Sequence, residues 1–299
     1  MDVLGVGANA VDYVYRLPAY PEPEGPNAKM RIAGHTRSCG GQVTTALCTC
    51  ASFGLNAAYA GAMGHDENAR VMRDELRRRG VDFTYAVVRD AANPFAVILL
   101  AEHSGERIVL WDRDERLALA PGEPPAALIA SARLVHVDDV DEEAAIRVAD
   151  IAREAGVPVT SDIDRLTDRT DALVAAVSIP IFAEHVPPAL TGECDLEQAL
   201  RKLRRAHHGS LCVTLGAHGA MLLEGDRVFY EPGFLVTAVD TTGSGDVFRG
   251  AFIRARLRGE GPRETLRFAN AAAAVSCTRL GAINGVPTLA EVEAMLRRQ

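Results

Sequence analysis

Leu134-Val-His-Val137, Val157-Pro-Val-Thr-Ser161, Ser178-Ile-Pro-Ile-Phe182 and Leu211-Cys-Val-Thr-Leu215 are four short apolar runs separated by stretches of helical periodicity. The spacing between them predicts helices over 141–155, near 171–176 and over 195–206. Strands that are apolar throughout are covered on both faces, and strands joined by helices run parallel. The segment therefore predicts an α/β fold, a three-layer, doubly wound and mostly parallel sheet.

Toward the N-terminus, Val3 to Ala8 reads as a first strand. Gly5-x-Gly7-x-x-Ala10 matches the dinucleotide fingerprint superficially, but that motif needs a helix next. Val11 to Tyr15 is β-patterned instead, and Pro18, Pro21, Pro23 and Pro26 follow, so no helix dipole is available for a pyrophosphate. The segment 12–38 reads as an extended excursion from the main sheet. A helix opens at Gly40-Gly41 and runs to Phe53, a strand covers Ala57–Gly61, and a second helix over Asp66–Arg79 is closed by Gly80. Phe95–Ala101 and Arg107–Leu110, separated by His103-Ser104-Gly105-Glu106, read as a hairpin expected to pair with the excursion. Toward the C-terminus, Val228–Tyr230 and Phe234–Val239 read as strands, with helices near 245–258, 263–280 and 288–297. No linker divides the chain, so 1–299 reads as a single domain with a small β-sheet lid over roughly 12–38 and 95–110.

The 299 residues carry 32 basic and 40 acidic side chains, a net charge of −8, which gives no global attraction to nucleic acid. Six cysteines show no CxxC pair, so neither a zinc site nor a disulfide framework follows. No apolar run approaches 18 residues, and the N-terminus reads as a strand. The expectation is a reduced, cytoplasmic protein without a membrane partner.

Asp240-Thr-Thr-Gly-Ser-Gly-Asp246 runs into apolar spacing at 247, 248, 251, 252 and 255, a helix whose start is a glycine turn with converging amides. Such a start is an anion site, because its first N–H groups have no internal partner. Asp246 reads either as a helix cap or as a base beside that nest. In open α/β sheets ligands bind beyond the strands' carboxyl ends. That edge collects Asn9, Asp12, Asp138, Asp139, Asp162, Asp164 and Gly216, each of which alone reads as a turn or cap residue. Histidines 65, 136, 185, 207 and 208 lack ligand spacing, and Trp111 reads as a packing residue.

These motifs resemble the ribokinase-like (PfkB) carbohydrate kinases over essentially the whole chain. Asp240–Asp246 is similar to that family's D-T-x-G-[AS]-G-D signature. Gly40-Gly41 and Gly61-Ala-Met-Gly64-His-Asp66 resemble its N-terminal signature. Val213-Thr-Leu-Gly216-Ala-His-Gly219 is similar to its nucleotide segment, and Phe268-Ala-Asn270 with Ala271–Ala274 to the helix beside adenine. The resemblance implies transfer of the γ-phosphoryl group of ATP to a sugar hydroxyl, with Asp246 as base and Gly243, Ser244 and Gly245 as the anion hole. An aspartate with no unusual titration suffices when the proton leaves late.

By the same resemblance, nucleotide contacts fall on Thr214, Gly216, Gly219, Asn270 and Ala274. Sugar contacts fall on Asn9, Asp12, Gly40, Gly41, Gln42, Thr45, Arg107 and Asp138, a pattern similar to that of the ketohexokinases. Thr45 departs from the usual Asn. Where the family has N-x-x-E, Ala183 and Val186 stand, leaving Glu184 as the nearest acid for Mg²⁺. Some relatives bind a monovalent cation such as K⁺ near Asp240 and Arg279–Asn284; a structural loop is the other reading. A homodimer through the lid is expected. A ketose or related monosaccharide is the favoured acceptor; a nucleoside kinase and a non-catalytic sugar or nucleotide sensor are the competing readings.

Overall fold

The computed structural model describes residues 1–103 and 107–298. Its strands are β1 (Val3–Val6), β2 (Ala10–Leu17), β3 (Gly34–Gly40), β4 (Ala57–Tyr59), β5 (Ala62–Met63), β6 (Val87–Val88), β7 (Phe95–Ala101), β8 (Arg107–Asp112), β9 (Leu134–Asp138), β10 (Val159–Ile163), β11 (Ile179–Ala183), β12 (Leu211–Thr214), β13 (Ala220–Glu224) and β14 (Arg227–Glu231). Its helices are α1 (Gln42–Ser52), α2 (Glu67–Arg79), α3 (Ala126–Ala130), α4 (Glu142–Glu154), α5 (Thr170–Ala176), α6 (Val186–Thr191), α7 (Leu196–Arg204), α8 (Ser244–Leu257), α9 (Pro262–Ser276), α10 (Ala282–Gly285) and α11 (Leu289–Leu296).

The main sheet has the order β14-β13-β12-β11-β10-β9-β1-β4. From β12 to β4 all neighbours are parallel, and β13 and β14 complete one edge antiparallel. The buried side chains of these strands alternate between two cores, as a period of two requires. Val3, Ile181 and Cys212 join the core built with α1, α8 and α9; Leu4, Phe182 and Val213 join the one built with α4, α5 and α7. The predicted three-layer arrangement is present.

The strand order also has a switch point. The chain leaves β1 for β4 on one side and later returns to β9 on the other, so loops diverge at the carboxyl ends of β1 and β9 and leave a crevice there. β1 feeds β2 with no helix between, which disposes of the dinucleotide fingerprint.

A second, four-stranded sheet has the order β3-β2-β7-β8, with β2 parallel to β7 and the other pairs antiparallel. The excursion and the second β-rich run thus pair as expected. The hairpin residues Ser104, Gly105 and Glu106 lie outside the described residues.

Three segments differ from expectation. Phe234–Val239 forms no strand; β14 already ends the sheet, and the amides of Val239 and Asp240 donate to the Cys277 carbonyl, tying the segment to the end of α9. The helix expected over 263–280 stops at Ser276 and restarts as α10. α6 was hidden by Pro187 and Pro188, which sit in its first turn, where a missing N–H costs nothing. All six cysteines are free, and among the described residues no helix is long and apolar enough to cross a membrane.

Candidate active site

Helix α8 starts at Ser244, with Gly243 at its N-cap in the left-handed region, φ 76°. A side chain there would be strained, and its Cβ would come within 2.5 Å of Ala282 Cβ. Asp240 fixes the turn from below: one carboxylate oxygen accepts from the Thr242 amide at 2.8 Å, the other from the Gly281 amide at 2.9 Å. The Ser244 amide donates within the turn to the Thr241 carbonyl at 3.2 Å. Among the described residues, the amides of Thr241, Gly243, Gly245 and Asp246 have no partner, the last three at the start of α8. Of the expected amides, that of Ser244 is used within the turn, while those of Gly243 and Gly245 are open and that of Asp246 is open beside them.

Asp246 is not the helix cap; it lies in the first turn of α8 and lines a cleft of about 470 Å³. Burial pushes its carboxyl up to about 7, against the pull of Arg249 and a hydrogen bond with Asp162. The expected ordinary titration is corrected on this point. Desolvation penalises the charged form more than a single nearby guanidinium restores it.

Arg249, one turn further along α8, also lines the cleft, yet it is only 3% exposed. Its Nη2 is 2.6 Å from Asp162 Oδ1 and donates to the Ile181 carbonyl at 3.3 Å. Asp162 and Asp164, at and beyond the end of β10, complete this end of the cleft, and burial raises both carboxyls.

At the other end, the expected sugar residues separate into two groups. Asp12, Gly41, Gln42 and Arg107 line the cleft. Asp12 is 6% exposed, and burial, then the charge of Asp240, raises its carboxyl to about 7. Gly41, φ 96°, would place a Cβ 2.5 Å from Asn9 Cα, so its absent side chain lets α1 begin against the β1–β2 junction. Gly40 ends β3 next to it. Arg107 reaches across the cleft to donate to Thr241 Oγ1 at 2.8 Å.

The second group faces the scaffold, where Asn9 and Asp138 are engaged and the buried Thr45 hydroxyl has no partner. Asn9 borders the cleft, but its amide donates to Tyr59 Oη and the Ala62 carbonyl while its oxygen accepts from Asn93, each at 2.8 Å. Asp138 is buried and accepts from the Ala8 amide at 2.6 Å and the Val140 amide at 3.1 Å, which locks β9 to the end of β1. Thr45 is fully buried inside α1 and does not border the cleft.

Of the expected nucleotide residues, Thr214 lines the cleft, its hydroxyl donating to the Phe182 carbonyl at 3.2 Å. Gly216 and Gly219 bracket the turn between β12 and β13. Asn270 and Ala274 are buried on α9, and Asn270 Nδ2 donates to the carbonyls of Glu231 and Pro232 at 2.9 and 3.2 Å. None of these four lines the cleft.

Glu184 is exposed and does not line the cleft, whereas Ala183 does, and Val186 is wholly in the core. Among the described residues no group of three or more His, Cys, Asp and Glu is arranged to hold a metal ion. The side chains present therefore do not build a protein cage for Mg²⁺.

The sequence reading missed Arg249, Arg165 and the part played by Trp111. Trp111 is 61% exposed on the cleft side of β8, with the Arg165 guanidinium 5.8 Å from its ring centroid. Arg249 did leave a signal: it is a charge three residues after Asp246, inside the apolar period of a buried helix face.

A doubly wound sheet whose switch point carries an amide turn and a half-buried carboxylate, under a separate small sheet, defines a ribokinase-like small-molecule kinase. The family model for the pfkB family carbohydrate kinases matches residues 9–289, and the chain belongs to that family. It is an ATP-dependent carbohydrate kinase. An ATP-dependent ribose-1-phosphate kinase of Halopiger xanaduensis is 30% identical over 98% of this chain and 97% of its own length. A nucleoside kinase of Methanothermobacter thermautotrophicus is 26% identical, with 97% and 94% covered. The solved Arabidopsis thaliana ribokinase complexed with ribose and ATP shares the fold, with TM-score 0.85, 23% identity, and 99% and 98% coverage.

Proposed function

We propose that this kinase transfers the γ-phosphoryl group of ATP to a hydroxyl of a monosaccharide, a ketose or related sugar. The observation that carries the reading is the Asp246 carboxyl in the first turn of α8, on the cleft, beside the free amides of Gly243, Gly245 and its own backbone. The acceptor oxygen bonds to γ-phosphorus as the bond to the bridging oxygen breaks, and ADP leaves with that electron pair. The hydroxyl proton passes to Asp246, and the amides hold the oxygens on which charge accumulates. Asp12, buried and without a protein partner among the described residues, is the acceptor's hydrogen-bond anchor. Mg²⁺, arriving with ATP, supplies charge screening on the phosphates; no protein ligand is assigned to it. No monovalent cation is part of the proposal.

A nucleoside acceptor is the second reading, favoured by one feature. Ile98, Val109 and Trp111 give the small sheet an apolar cleft wall, which suits a base better than a polyol. Phosphate transfer from ATP across a panel of free sugars, sugar phosphates and nucleosides separates the readings. Turnover confined to nucleosides would sink the sugar assignment, and binding without turnover anywhere would favour the sensor.

The small sheet acts as a lid on this reading, and its edge strand β8 carries Ile108 and Leu110 exposed. An apolar edge strand with unpaired backbone groups invites a partner, which supports a homodimer through the lid. Light scattering should give twice the chain mass; a monomer at micromolar concentration removes the dimer. The six free cysteines support a reducing, cytoplasmic compartment.

A further inference from the structure

We infer that Arg249 is a catalytic residue, the fixed cation whose guanidinium contacts the phosphoryl group in transit while Asp162 holds it in place. The role rests on the proposed transfer at Asp246. On α8, Arg249 stands among Val247, Phe248, Ala251, Phe252 and Ile253, all buried. A guanidinium in such a position is costly unless its donors are satisfied, and an apolar side chain of similar size would serve packing better.

The satisfaction is incomplete. Nη2 donates to the Ile181 carbonyl and is paired in charge with Asp162, but Asp162 Oδ1 and buried Nε each have no hydrogen-bond partner, and among the described residues Nη1 donates to none. A brace of purely structural purpose gains nothing from donors left open, since a half-satisfied buried network is worse than an apolar one. Open donors beside a cleft fit a ligand that completes them.

The position fits as well. Arg249 is three positions after Asp246, so both lie on one face of α8. Nη1 would be 2.8 Å from a Cβ built on Gly245, which places the guanidinium against the turn whose amides are free. The other cleft arginines are committed elsewhere: Arg165 to Asp139, Arg113 to Asp141 and the Leu117 carbonyl, Arg107 to Thr241. Three carboxylates, Asp162, Asp164 and Asp246, face the same space. A transition state with charge spread over its phosphoryl oxygens needs positive charge there. Arg249 makes only hydrogen bonds in the step; the bonds and the proton move as described above.

The test compares Arg249→Met, Arg249→Lys and the double variant Arg249→Met/Asp162→Leu, using the acceptor on which the wild type turns over. Arg249→Met should lower kcat by about 10²–10³-fold, the range seen on removal of one oxyanion donor, with KM for ATP within about threefold, and Arg249→Lys should recover part of the loss. The double variant removes both buried charges and should recover thermal stability; on the inference, turnover stays lost. A double variant as stable as wild type and within about tenfold of its kcat makes the pair a brace and overturns the role of Arg249 alone. An inert wild type overturns the transfer reading, and this role with it. ADP with aluminium fluoride and acceptor gives a second readout. Wild type should bind this mimic more tightly than ADP alone, and Arg249→Met should lose that margin while still binding ADP; an unchanged margin also overturns the inference.

Discussion

The cleft floor, where α8 begins, is tied into both cores by buried polar contacts, whereas the small sheet above it reaches the far side through exposed ones. In the floor, Asp240 clamps two amides, Asp138 locks β9 to β1, and Asn9 joins Tyr59 to Asn93. Breaking any of these leaves a buried polar group unpaired, at about 1–3 kcal/mol. Two exposed contacts across the cleft, Arg107 to Thr241 and Arg165 over Trp111, are worth about 0.5–1 kcal/mol each. A floor that costs much to disturb keeps the base and the amides in register. At its root the roof is anchored, with Val11 and Cys39 in the core built with α1 and Tyr13 Oη donating to Asn68 at 2.6 Å, but its far side is held lightly; on the proposed function, chemistry belongs to the floor and acceptor choice to that far side.

Asp12, on β2 where floor meets roof, gives the largest effect by which to break this comparison. Asp12→Asn should raise KM for the acceptor by about 10–100-fold, the value of a charge-assisted hydrogen bond, and leave KM for ATP unchanged. It should also raise the melting temperature at pH 8 but not at pH 4. The Asp12 carboxyl is raised from 3.8 to about 7 in the folded protein, so the folded state binds more protons than the unfolded one between those values. Stability from this group is therefore lost as pH rises through that window, and the amide avoids the loss. Acceptor and ATP kinetics with melting curves at both pH values check the prediction; equal changes in both KM values would contradict it.

Trp111→Ala gives a smaller effect and sharpens the comparison. Loss of the roof's exposed ring should raise KM for the acceptor by about tenfold or less, without altering the melting temperature or KM for ATP. A fall in stability comparable to a core truncation would show the roof to be as fixed as the floor.

The layered sheet was readable because its strands are apolar throughout and separated by helical periods, a pattern that needs no tertiary information. The turn before Asp246 was readable for a similar reason: two glycines before an apolar helical period leave few alternatives. The sugar end was harder, because position along the chain does not say what a side chain meets. Asp138 stands at a strand's carboxyl end, as a ligand residue would, but β9 lies beside β1 and the Ala8 amide takes its carboxylate. Thr45 is one helical turn from Gly41 yet points into the core. Trp111 read as packing, because nothing in a short β run says which strand forms the open edge over a cleft.

The central claim is that Asp246 is the base, held protonatable near neutrality by burial in the floor. Its folded carboxyl lies near 7, and a base must be ionised to accept the proton. Turnover at saturating ATP and acceptor should thus rise with pH through about 7, as the proton is lost, with no acid limb near 4. The pH–rate profile of the wild type beside that of Asp246→Asn tests this directly. The account predicts that the asparagine variant still binds ATP, loses kcat by at least about 10²-fold and no longer shows the limb near 7. Turnover within about tenfold of wild type, with the same limb, would contradict it.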